Sequence, residues 1–71
     1  MTRLGLYLTK RSVNKSDLAR KIGVTKQRID ILCNNEKSKL LMTEAYRIAL
    51  ALQVDLADFV EEICGDQQLN D

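Results

Sequence analysis

"KSDLARKIGVTKQRIDILCNN", residues 15–35, decides how this chain folds. Asn14, just before it, offers an oxygen to cap a helix, and Asp17 three residues on resembles a short-armed capping box. Leu18, Ala19 and Ile22 then recur at i, i+1 and i+4, the spacing of one buried helical face. Gly23 is the residue that most easily enters the left-handed conformation ending a helix. Thr25 supplies the next cap, and Ile29, Leu32 and Cys33 form a second inward set over a helix from Lys26 to Cys33. Asn34 and Asn35 are expected to stop that helix in a left-handed turn. The stretch therefore reads as helix, four-residue turn, helix.

The flanks extend the same pattern. Thr2 can cap a helix from Arg3 to Arg11 with Leu4 and Leu8 inward, and Gly5 is expected to weaken it by about 1 kcal/mol relative to alanine. Thr43 is taken as the cap of a fourth helix with Ala45, Ile48, Ala49 and Leu52 inward. After a turn at "QVD", Leu56, Phe59, Val60 and Ile63 make the stripe of a fifth. The expected fold is all-α, a single five-helix domain over residues 1–64. Residues 65–71, "GDQQLND", are expected to fray.

Composition agrees and narrows the chemistry. The chain has 71 residues, no proline and only three glycines, which suits a small, mostly helical domain. It has no histidine and two cysteines without a CxxC pair, so neither a metal site nor a cofactor is expected, and the thiols read as free. Cys33 reads as a buried, inert thiol. With no nucleophile–base pair and no glycine-rich phosphate loop, enzyme chemistry on a small-molecule substrate is not expected. "MTRLGLYLTKRS" lacks the features of a signal peptide, and no apolar run approaches membrane-spanning length, so a soluble protein is expected.

Charge is distributed unevenly. Residues 1–39 hold ten Lys/Arg against three acids, a net +7, whereas residues 40–71 hold Arg47 against seven acids, a net −6. Such polarity points to a polyanion on one side of the molecule.

Helix, glycine-containing turn and helix is the arrangement with which many proteins read DNA. Here the resemblance becomes specific: "KSDLARKIGVTKQRIDILCNN...TEAYRIALALQVDLADFV" is similar to the Cro/phage-repressor (XRE-type) helix-turn-helix family over about residues 4–63. The resemblance implies a lambda-repressor-like fold whose second motif helix enters the major groove of double-stranded DNA. On a helical wheel with Ile29 facing the core, Gln27 and Ile31 fall at the centre of the outer face, with Arg28 and Asp30 on its flanks. Lys26 lies near the groove entrance. Gln27 can pair with adenine, Lys26 or Arg28 with guanine, and Ile31 can pack on a thymine methyl, while Asp30 can accept from cytosine N4 or repel phosphate and so penalise wrong registers. The resemblance further implies phosphate contacts from Lys15, Thr25, Asn34, Lys37 and Lys39.

The chain departs from the family pattern where Cys33 replaces a frequent acid, Asn35 a usual glycine, and Leu40-Leu41 a common Pro-Ser cap. Burial is expected for Leu40 and Leu41, and their exposure would suit a dimer contact. The expected function is a sequence-specific transcriptional regulator binding a palindrome as a homodimer, acting in the cytoplasm of a bacterium or phage-infected host at the nucleoid. The competing reading is a protein-interaction module, such as an antitoxin-like partner binder, that kept the fold with little DNA reading.

Overall fold

A computed structural model describes residues 1–65 and contains five helices: α1 (Arg3–Lys10), α2 (Lys15–Ile22), α3 (Lys26–Asn34), α4 (Met42–Leu52) and α5 (Leu56–Cys64). The expected fraying of the tail falls outside the described residues, except at Gly65. Thr2, Asn14, Thr25 and Asp55 each cap a helix with a side-chain oxygen that accepts a backbone N–H three residues on. These bonds satisfy donors that the first turn of any helix leaves open. Asp17 does not complete a capping box in the way its position suggests; its carboxylate instead accepts from Arg20, an exposed i,i+3 pair.

Three helices end alike. Gly23 (φ +79°), Ser12 (φ +55°) and Gln53 (φ +57°) are left-handed, and each is followed by a valine. Val13, Val24 and Val54 donate their N–H five residues back, to Leu8, Ala19 and Ala49 O, at 3.0, 3.0 and 3.1 Å. All three valines also pack against the core. A left-handed residue, a six-to-one hydrogen bond and an apolar residue behind it are the parts of a Schellman ending. Only Gly23 was recognisable as such from sequence, because Ser12 and Gln53 adopt the conformation without a glycine's freedom.

Two helix ends differ from expectation. Asn35 is extended (φ −104°), so no left-handed asparagine ends α3, which runs one residue further, to Asn34. Asn35 turns the chain with its side chain, which accepts from Lys37 N–H at 2.9 Å. Thr43 is not the cap of α4; it is the second helical residue, and Leu41 holds the cap position. Leucine has no side-chain acceptor, but the Glu44 carboxylate reaches back to Leu41 N–H at 2.9 Å and satisfies it.

The core gathers one face from every helix: Leu4, Tyr7 and Leu8; Leu18, Ala19 and Ile22; Ile29, Leu32 and Cys33; Ala45, Ile48 and Ala49; and Phe59. The Tyr7 and Phe59 rings meet edge to face at 5.2 Å between centroids, joining α1 to α5. The Arg11 guanidinium covers the outer face of Tyr7 at 4.7 Å. Polar ties add to this joint and join α4 to α2. The Arg3 guanidinium donates to Glu62 O and Ile63 O at the end of α5, and Arg47 donates to Ile22 O at the end of α2, where helix carbonyls attract cations. Among the described residues, no helix is long and apolar enough to cross a membrane.

Candidate nucleic-acid interface

The outer face of α3 is built from the residues that the core leaves over. Ile29, Leu32 and Cys33 are buried, which turns Gln27 and Ile31 outward; Ile31 is 46 % exposed although isoleucine usually belongs inside. Ile31 lines a shallow depression together with Asp30, Asn34, Asn35, Glu36 and Lys37. The structure thus brings an apolar contact, an amide and a lysine to one concave patch beside Gln27.

Lys26 and Asp30 are not independent. Lys26 Nζ lies 3.1 Å from Asp30 Oδ2 across one helical turn, with both groups open to water. Such exposed i,i+4 pairs contribute only about 0.3–0.5 kcal/mol, so the pair opens easily and sets the resting position of both end groups. Asp30 thereby offsets part of the Lys26 charge at the start of α3.

Arg28 stands apart. Its Nε and Nη2 donate to the two carboxylate oxygens of Glu44 at 2.8 Å each, and Nη2 also donates to Lys39 O at 3.0 Å. This bidentate clamp ties the first turn of α3 to the first turn of α4 and pins the loop between them. The guanidinium is therefore occupied inside the molecule, on the flank where the wheel offered it to guanine. Glu44, which sequence reasoning did not single out, is 7 % exposed and accepts three hydrogen bonds, two from Arg28 and one from Leu41 N–H. Its position three residues after a residue with no capping oxygen was the one available signal.

The clamp has a pH signature. Hydrogen bonds from Arg28 hold the Glu44 carboxyl below its ordinary value of 4.5, helped by the Leu41 N–H and opposed by burial. A depressed carboxyl contributes stability above its ordinary value and loses it as pH falls through the folded-state value. Glu44→Gln is expected to cost about 1 kcal/mol at neutral pH, a figure reduced by the water reaching Arg28. Urea titrations of the two proteins between pH 7 and 3 should therefore converge in acid. A gap that stays constant down to pH 3 would show that the charge of Glu44 contributes nothing.

The remaining candidates occupy the rim. Lys15 opens α2 as its first helical residue, and its charge lowers the Cys33 thiol slightly. Burial nevertheless dominates at Cys33 and pushes its thiol up, as expected for an inert cysteine. The Thr25 hydroxyl accepts from Arg28 N–H at 3.1 Å and retains its own proton for donation. Asn34 donates one amide hydrogen back to Asp30 O at 3.0 Å, leaving the other hydrogen and the oxygen. Lys37 and Lys39 flank the loop pinned by Arg28 and are exposed. Among the described residues, the side chains of Lys15, Gln27, Lys37 and Lys39 form no hydrogen bond or ion pair within the molecule. A partly apolar helix face with an unengaged amide, rimmed by lysines, matches the chemistry of a DNA groove bordered by phosphates.

Comparison with known proteins agrees with this geometry. No curated protein and no solved structure matches the chain significantly. The family model of the Cro/C1-type HTH DNA-binding domain matches residues 3–64, which take in all five helices. With its turn at Gly23, its outward-facing α3 and nearly its whole length covered, the chain belongs to the Cro/C1-type helix-turn-helix DNA-binding domain family.

Proposed function

We propose that this protein is a sequence-specific transcriptional regulator that inserts α3 into the major groove and binds a palindromic operator as a dimer. The observation that carries the reading is the exposure of Gln27 and Ile31 side by side on α3, with the Gln27 amide unengaged. Gln27 pairs with the N6 and N7 edge of adenine, and Ile31 packs on a thymine methyl. Lys26 reads guanine when it leaves Asp30, and Asp30 accepts from cytosine or repels a misplaced phosphate. Lys15, Thr25, Asn34, Lys37 and Lys39 anchor phosphates. Arg28 has a different part: through Glu44 it sets the pose of α3 and the loop that carries Lys37 and Lys39.

The test is selection of bound sequences from a random duplex pool, followed by two variants on the selected site. Gln27→Ala is expected to relax preference at one base position by about 1–3 kcal/mol while leaving non-specific affinity almost unchanged. Lys15→Ala should weaken binding on every sequence and lower the salt slope by about 1. Identical behaviour of the two variants would refute the division between reading and anchoring. Absence of binding even at low salt would refute DNA reading altogether and favour a protein-interaction role.

A further inference from the structure

Both cations in the first turn of α3 already have a carboxylate, but the two pairs differ in what they allow. Lys26 meets Asp30 in the open, where water can replace either partner. Arg28 meets Glu44 at the joint of α3 and α4, where the carboxylate is buried and the guanidinium half-buried. Opening this second pair would leave the Glu44 charge inside the protein, with Leu41 N–H as its one remaining donor among the described residues.

The way Arg28 is held decides what it can still read. A guanidinium recognises guanine by aiming two N–H groups of one edge at O6 and N7. It has two such edges, Nε with Nη2 and Nη1 with Nη2, and both depend on Nη2. Nη2 has two hydrogens, and it donates to Glu44 Oε1 at 2.8 Å and to Lys39 O at 3.0 Å. Nε donates to Glu44 Oε2 at 2.8 Å. Neither edge is left for a base, although the helical wheel puts Arg28 on the flank of the outward face of α3.

We propose that Glu44 is a specificity-determining residue: by holding both edges of the Arg28 guanidinium, it keeps α3 from reading guanine beside the base pair that Gln27 contacts. Glu44 does so from α4, sixteen residues away from Arg28. The centre of the outer face is then left to Gln27, suited to adenine, and Ile31, suited to a thymine methyl. The half-site is A·T-directed under the middle of α3 and indifferent to guanine on the Arg28 flank. This inference rests on the groove reading proposed above and adds to it the residue that sets which bases are read.

Glu44→Gln releases Arg28 with little other disturbance. The amide oxygen can still accept from Leu41 N–H, whereas the amide nitrogen is a donor and cannot receive Nε–H. In free protein, the proton–nitrogen correlation signal of the Arg28 Nε–H should be resolved and slow to exchange with water. In Glu44→Gln it should exchange quickly, with helical circular dichroism unchanged. Wild type, Glu44→Gln and the double variant Arg28→Ala/Glu44→Gln are then each carried through selection from random duplexes. The wild type should show no guanine preference on the Arg28 flank. Glu44→Gln should prefer guanine there by about tenfold or more, and the double variant should lose that preference.

An Arg28 Nε–H that exchanges freely in the wild type overturns the proposal without any DNA present. So does a Glu44→Gln protein that gains no guanine preference, or a gain that survives in the double variant. Tighter binding of Glu44→Gln to every sequence, with a salt slope steeper by about 1, also overturns it, since Arg28 then serves a phosphate. Uniform weakening overturns it too and leaves Glu44 only the pose of α3. A wild-type protein that binds no duplex is a separate failure: it removes the groove reading, and this inference with it, whatever the variants do.

Discussion

Phe59→Ala is expected to leave much of the protein unfolded at 37 °C. Phe59 is fully buried and is the one side chain of α5 inside the core; Leu56, Val60 and Ile63 pack against its edge and remain half-exposed. It meets Tyr7 edge-on at 5.2 Å, so its removal also strips α1 of its aromatic partner. Truncating a buried phenylalanine costs about 3–5 kcal/mol in lost transfer energy and residual cavity. A domain of this length holds roughly 4–10 kcal/mol in total, with small domains near the lower end. Thermal melts followed at 222 nm should show Tm lower by about 12 °C or more. Phe59→Leu, which refills most of the space, should lose far less. A Phe59→Ala protein melting within a few degrees of the wild type would mean that α5 is held by its half-exposed residues and the Arg3 bonds instead.

The importance of Phe59 was only half legible in the sequence, and the reason is general to this chain. Local signals were read correctly where one turn of chain contains both partners: Thr2, Asn14 and Thr25 as caps, Gly23 as a left-handed end, and the inward sets of α2 and α3. Apolar spacing gave four inward residues to α5 but could not rank them, because depth depends on what α1 and α4 place opposite. The same limit governs the interface. A helical wheel orients Gln27 and Ile31 correctly, since it needs only the direction of the core. It could not find the partner of Arg28, since Glu44 lies sixteen residues away on another helix. The departures at Leu40 and Leu41 show the limit from the other side: Leu40 is half-buried, and Leu41, expected to be covered, is exposed just before α4.

Gly5→Ala is the case in which sequence and structure predict opposite signs. Helix propensity alone says that alanine inside α1 should stabilise by about 1 kcal/mol. The structure places α1 so close to the end of α3 that a Cβ on Gly5 would meet Cys33 O at 2.5 Å and Met1 Cγ at 2.6 Å. The Met1 side chain can swing away, but Cys33 O is backbone, and it is already held by Thr2 N–H at 2.8 Å. Beside it, the Thr2 hydroxyl donates to Leu32 O at 2.7 Å, so two carbonyls at the end of α3 are tied to the first residues of the chain. Room for the methyl group can come only from parting α1 from α3 and loosening those bonds. Overpacking of this kind costs about 1–3 kcal/mol, which exceeds or cancels the propensity gain. We therefore expect Gly5→Ala to lower Tm by as much as about 15 °C. Leu6→Ala, one residue on but exposed, should change it little. Because the displaced helix is α3, DNA affinity measured well below the melting transition should fall as well, although Gly5 is remote from the outer face. A Gly5→Ala protein more stable than the wild type would show that the contact yields freely and that Gly5 is only a weak spot in α1.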